Sequence, residues 1–184
     1  MKKKKLKSRI AAGNRRYFSI VMLIKTKLVS RTTKFTQYKT LIRPDVTYCG
    51  ETLSNKSINL LDRVEGVILR RILGSVCENG NWQRRKNGEL FVLYKECSIS
   101  SCTSIQRLKV IGHVMRMSEE RVPHKLYSYV PDGVRQLGSP KGRWRNAVRR
   151  DLRQLRIPVT LTEDRERWLV AVEQAKGSSM RLLC

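Results

Sequence analysis

The side chains of this sequence best suited to holding a metal or acting as a nucleophile are its five cysteines and two histidines. Cys97 and Cys102 are separated by four residues, with His113 and His124 downstream. Zinc fingers space their histidines three to five residues apart, whereas ten residues separate these two, so the spacing favours a small packing thiol pair over a zinc site. Nothing in the spacing supports a Cys/His nucleophilic pair built from Cys97 or Cys102 with His113. The five aspartates (Asp45, Asp62, Asp132, Asp151 and Asp164) stand singly, without the adjacent pair that a two-metal phosphoryl-transfer site uses. No Gly-rich phosphate loop precedes a helix. The expectation is a chain with no catalytic residues, no metal site and no cofactor. Five widely spaced cysteines, an odd number, also argue against a secreted disulfide scaffold. Cys49, Cys77, Cys97, Cys102 and Cys184 are therefore expected as reduced thiols of a nuclear or cytoplasmic, non-secreted protein.

Arginine and lysine carry the stronger signal. The 184 residues hold 39 Lys+Arg against 15 Asp+Glu, a formal balance of +24. Residues 1–44 contain 14 bases and no acid, residues 45–100 contain 8 and 7, residues 101–156 contain 13 and 4, and residues 157–184 contain 4 and 4. Two basic blocks thus flank a nearly neutral segment. Self-repulsion of this kind is relieved by a polyanion, and nucleic acid is the commonest one. The more telling run spans residues 141–156, where the bases are spaced on a helix. Trp144, Val148, Leu152 and Leu155 form one stripe of a helix, leaving Arg145, Arg149, Arg153 and Arg156 on the other side, with Lys141, Arg143 and Arg150 beside them. Asp151 is the only acid there. Guanidinium groups suit bidentate phosphate contacts, so the pattern predicts a core-docked helix laid along a nucleic-acid backbone. A second cluster joins Arg70-Arg71 to Arg84-Arg85-Lys86 across a turn. These side chains either meet nucleic acid or pair with acids such as Glu65.

The elements that must position these groups read as helices almost throughout. Leu6, Ile10, Tyr17, Ile20, Val21, Ile24 and Leu28 form an amphipathic stripe interrupted at Gly13 and Asn14. Ser30 can cap a helix bearing Phe35, Tyr38, Leu41 and Ile42, which should yield near Arg43 because Pro44 follows. Ser54 or Asn55 can cap a helix with Ile58, Leu61, Val64, Ile68 and Ile72 inward, closed by Gly74. Glu78-Asn79-Gly80-Asn81 is turn chemistry. Asn87 can cap a short helix, and Ile105, Leu108, Ile111 and Met115 mark another that ends before Pro123. A last helix carries Trp168, Leu169, Val172 and Ala175, with Thr160 and Glu163 spaced as a capping box and Gly177 as its stop. No strong period-2 strand stands out. The expected class is all-α, a bundle of about six to seven helices with a basic N-terminal helix and a Gly/Pro-containing linker. The expected division is a basic helical arm at 1–43, a helical domain at 44–130, the linker at 131–142, a helical hairpin at 143–177 and a tail at 178–184. The longest strictly apolar run, residues 20–24, is far below the roughly 20 residues of a membrane span, and no membrane partner is expected.

The blocks Tyr38-Lys39-Thr40-Leu41-Ile42-Arg43-Pro44, Thr47-Tyr48 and Glu51-Thr52 lead into Ile68-Leu69-Arg70-Arg71-Ile72-Leu73-Gly74 and Val76-Cys77-Glu78-Asn79-Gly80. Trp82, Arg84-Arg85, Asn87, Glu89-Leu90 and Leu93-Tyr94 continue the series. Gln106-Arg107-Leu108-Lys109, Gly112-His113-Val114, Arg116-Met117, Trp144, Asp151-Leu152, Asp164-Arg165 and Trp168 complete it. In this order they resemble the C-terminal, thumb and post-thumb, region of non-LTR retrotransposon endonuclease–reverse transcriptases of RTE type, over about residues 9–176. The resemblance implies a thumb-like domain at 44–130 that grips primer–template or element RNA. RNA, RNA–DNA hybrid or DNA would be bound through backbone phosphates. Arg107, Lys109 and Arg116 join Arg70, Arg71, Arg84, Arg85, Lys141, Arg143, Arg145, Arg149 and Arg153 as candidate contacts. It also implies a truncated insertion or partial gene model lacking the palm and endonuclease domains of the parent polyprotein. The palm's Tyr/Phe-x-Asp-Asp motif is not found in this sequence, and no activity is expected of the chain alone. The alternatives are a non-functional retroelement relic or a co-opted basic RNA-binding host protein of ribosomal type.

Overall fold

Helical periodicity becomes helix nearly everywhere in the computed structural model, which describes residues 2–130 and 143–181. The described α-helices are α1 (Lys2–Lys25), α2 (Arg31–Gln37), α3 (Arg43–Thr47), α4 (Asn55–Leu73), α5 (Asn87–Tyr94), α6 (Ile99–Met115), α7 (Val122–Ser128), α8 (Trp144–Leu155) and α9 (Arg165–Arg181). A single antiparallel hairpin, β1 (Val76–Glu78) with β2 (Asn81–Gln83), is the described sheet. The class is all-α. No described helix is long and apolar enough to cross a membrane. The linker at 131–142 and the end of the tail lie outside the described residues.

The N-terminal core forms where α1, α3 and α4 meet. Leu6, Ile24, Tyr38, Ile42, Val46, Leu61, Ile68, Leu69, Leu90 and Tyr94 are buried there, with Ile10, Tyr17 and Ile20 packed against them. The helix anticipated as an arm therefore shares this core. Leu28, placed on the α1 stripe by its spacing, lies past the end of the helix and is 96% exposed. Gly13 is not an interruption: α1 runs through it, and the residue is small because a Cβ there would stand 2.5 Å from Val46 Cγ2. Glycine permits the close crossing of α1 and α3. Ser30 caps α2 as expected, its Oγ accepting from Thr33 N–H at 3.1 Å. Pro44 does not end the helical path. A π-helical turn (Tyr38–Ile42), closed by Arg43 N–H donating to the Tyr38 carbonyl, passes the chain into α3. Pro44 occupies the first turn of α3, where its missing N–H costs nothing.

Inside this core sits a polar hub. Glu65 is fully buried and accepts from Tyr38 Oη at 2.9 Å and from Ile99 N–H at 2.9 Å, with Arg43 Nε 3.6 Å away. One turn earlier on α4, Asp62 accepts from Ser100 N–H at 2.9 Å. Ser98 Oγ accepts from Ser101 N–H at 3.2 Å, so two carboxylates and a serine satisfy the first turn of α6. Burial raises the Glu65 and Asp62 carboxyls above their ordinary range, against the pull of Arg43 and of the amide donors. Cys97 and Cys102 are joined in a disulfide across this N-terminus, with Cα atoms 6.0 Å apart. That corrects the expectation of reduced thiols for this pair: the chain turns into α6 at Ser98 and brings Cys102 back beneath Cys97. Cys49 and Cys77 are free and exposed.

The second core lies between α6, α8 and α9. It buries Ile105, Leu108, Ile111, Val114, Val148, Leu152, Ile157, Trp168, Val172 and Ala175. Helix α6 contributes Ile99 to the first core and its remaining length to the second. Trp168, 1% exposed, donates from Nε1 to the Leu108 carbonyl at 3.2 Å, directly over Gly112. Asp164, not a Thr160/Glu163 box, caps α9: its Oδ1 accepts from Glu166 N–H at 2.9 Å and Arg167 N–H at 3.1 Å. A short 3-10 turn (Val159–Thr162) takes up the residues where the box was placed, and α9 runs on past Gly177.

Candidate nucleic-acid interface

Helix α8 turns a strongly two-sided sequence into a docked rod. Val148, Asp151 and Leu152 are buried and Trp144 and Leu155 half-buried, facing α6. Opposite them Arg149 and Arg153 are exposed, and so are Arg150 at the flank toward α4, Arg143 at the N-cap and Arg156 in the left-handed C-cap. Arg143, Arg149, Arg153 and Arg156 have no acidic partner within salt-bridge distance among the described residues. Arg145 is half-buried, its guanidinium 5.5 Å from the centre of the Tyr127 ring, and that ring meets Trp144 edge-on. The inward Trp144 fixes the helix in place, at an acceptor shared with Arg107 of α6. Trp144 Nε1 donates to the Glu51 carbonyl at 2.9 Å, and the same oxygen accepts from Arg107 Nε at 3.2 Å.

Arg107 is therefore a correction to the predicted contacts. It is 1% exposed and forms an ion pair with buried Asp151 through Nη1, so it holds α6 to α8 and does not stand on the exposed arginine face. Burial raises the Asp151 carboxyl above its ordinary range, with Arg107 and Arg150 opposing the shift. Arg107, Arg150, Ser101, Ser104 and Gln154 also line a polar cleft of about 240 Å³ between α4, α6 and α8.

The remaining candidates divide by how much of their hydrogen-bonding capacity the fold has already used. Arg70 donates from Nε to the Arg85 carbonyl at 3.0 Å and from Nη2 to Asn87 Oδ1. Arg85 donates to the Gly74 carbonyl at 3.2 Å and lies 3.7 Å from Glu89. These two arginines anchor the hairpin, and neither pairs with Glu65, the acid the sequence left as an alternative. Arg116 donates to the Thr162 carbonyl at 3.0 Å, and Lys109 pairs with exposed Glu173 at 2.6 Å. Arg71 and Arg84 are exposed. Lys141 lies outside the described residues. His113 is exposed, so its place beside Ile111 and Val114 does not make it a core residue. No group of three or more His, Cys, Asp or Glu able to hold a metal occurs among the described residues.

Sequence spacing placed one prominent side chain at the head of the second basic cluster but gave it no role. Trp82 on β2 is 75% exposed, although the basic run around it was legible. Its exposure depends on the hairpin, which no period-2 pattern announced. No family model, curated protein or solved structure matches this chain. The functional reading consequently rests on the geometry of the arginine surface.

Proposed function

We propose that this chain binds nucleic acid through backbone phosphates and contributes grip, with no catalytic centre of its own. In this reading it corresponds to the thumb and post-thumb part of a non-LTR retrotransposon RNA-directed DNA polymerase; action in the nucleus or cytoplasm then follows from that resemblance and not from reduced thiols, since Cys97 and Cys102 form a disulfide. Primer–template or element RNA would be the ligand. One observation carries the reading: the outer face of α8 offers Arg149 and Arg153, with Arg143 and Arg156 at its ends, exposed and without acidic partners among the described residues. Solvated helix faces ordinarily mix both signs of charge. Here the one acid of the helix, Asp151, is turned inward and neutralised by Arg107. Arginine forks aimed outward in series give affinity with little sequence choice.

Fluorescence anisotropy of the full chain with an RNA–DNA hybrid and with single-stranded RNA, from 50 to about 300 mM salt, tests this. If about six phosphates are engaged, log Kd changes with log salt with a slope of magnitude near 5, the hybrid binds more tightly, and Arg149→Ala/Arg153→Ala lowers the slope by about 2. A slope near zero, or a double variant indistinguishable from the parent chain, overturns the proposal.

A further inference from the structure

The hairpin is built to hold an indole in solvent. Asn79 and Gly80 turn it with φ of 51° and 79°, the left-handed pair that a two-residue hairpin loop requires. The register sets Cys77 opposite Trp82 and Glu78 opposite Asn81, so the indole faces a small exposed thiol and not a covering apolar side chain. The base of the hairpin is tied to α4 and α5 by the hydrogen bonds of Arg70 and Arg85. The cations beside the hairpin in the chain that carry no such duty are exposed: Arg71 near the end of α4, Arg84 just after β2, and Lys86. The other two indoles are satisfied, Trp168 and Trp144 each donating to a backbone carbonyl. Among the described residues the Trp82 side chain makes no hydrogen bond, ring contact or cation contact, and 75% of its surface faces water.

We propose that Trp82 is a stacking platform for an unpaired nucleobase of a single strand, with Arg71, Arg84 and Lys86 holding the phosphates on either side. This rests on the nucleic-acid reading above and adds to it a contact to a base, which the arginine face of α8 does not supply. A flat, pre-positioned aromatic ring among unpaired cations is the chemistry that single-strand binders use, because every base offers a π-face. The neighbours Glu78, Asn79, Asn81 and Gln83 are polar and exposed, so the hairpin lacks the apolar area that insertion into a bilayer demands.

The test compares an oligothymidylate with an abasic deoxyribose-phosphate oligomer of equal length, using the full chain, Trp82→Ala and Trp82→Phe. All three proteins are first checked for equal thermal stability. The expected result is tighter binding of the oligothymidylate and a loss of about 5- to 150-fold in Trp82→Ala, largely restored in Trp82→Phe. The abasic affinity and its salt slope stay the same in all three. If the parent chain binds both ligands equally with a steep salt slope, phosphate binding stands and the stacking proposal falls. Stacking falls too if Trp82→Ala weakens both ligands alike, or neither, which would leave the indole to a protein contact. If neither ligand binds at about 50 mM salt, both proposals fall together.

Discussion

Glu65 occupies a helix face otherwise filled by Leu61, Ile68 and Leu69, and it tolerates that position because donors reach both of its oxygens. Its carboxyl is held above the ordinary range chiefly by burial, with Arg43 and the two hydrogen bonds working against the shift. The folded state therefore binds this proton more tightly than the unfolded chain does. By linkage, stability contributed at Glu65 falls as pH rises from the unfolded value toward the raised folded one, and returns on acidification. Urea unfolding of the parent chain and of Glu65→Gln, at pH near 7 and near 4, checks the sign. Stability of the parent relative to the variant should increase at the lower pH, because glutamine stays neutral throughout; a decrease would contradict the shift. The sequence offered Glu65 only as an acid that the arginines of α4 could pair with. It did not display the partners, since Tyr38 and Arg43 reach Glu65 only across the π-helical turn, whose extra residue no periodicity reveals.

Helices α6 and α9 cross where the indole of Trp168 lies on the backbone of Gly112. A Cβ at Gly112 would stand 2.1 Å from Trp168 Nε1. Gly112→Ala is expected to cost about 1–3 kcal/mol in urea denaturation, by forcing the indole out of its rotamer and off the Leu108 carbonyl. Gly177→Ala is the matched control. Among the described residues nothing lies within 4 Å of a Cβ there, so alanine should raise stability by up to about 1 kcal/mol through helix propensity alone. At this scale most of the architecture was legible: the stripes of α4 and α8, the Ser30 cap and the turn at Asn79-Gly80 all fall where spacing put them. What escaped was geometry set by a second element. Gly13 looked like a break and is a crossing point, Pro44 looked like a stop and is a first turn, and Gly177 looked like a terminus and is helix interior. A side chain's own neighbours in sequence do not say which backbone will approach it. The same limit governs the arginines. Their number and spacing on α8 were readable, while the retirement of Arg107 into an internal ion pair depended on where Asp151 points.

At the scale of the whole molecule, a formal charge of +24 opposes compaction, while several short ion pairs (Arg16–Asp45 and Lys39–Glu96, both at 2.6 Å) recover only local terms. Screening acts mainly on the exposed, repelling cations and little on the buried Arg107–Asp151 pair. Raising NaCl from about 50 to about 500 mM should therefore raise Tm by about 2–8 °C, read by far-UV circular dichroism; a fall would mean that the exposed pairs outweigh the repulsion. The charge was legible in composition, but the division into two cores was not, because α6 belongs to both and no change in composition marks its middle. That shared helix has a consequence in time. On a ribosome the first core is complete in sequence once Ile99 has emerged, whereas Ile105, Leu108 and Ile111 must wait for Trp168 and Val172. At about 5–20 residues per second the interval is roughly 4–15 s. During it, one end of α6 is already moored while the other stands as an open apolar ledge, so the nascent chain passes through a half-built stage before its last two helices arrive.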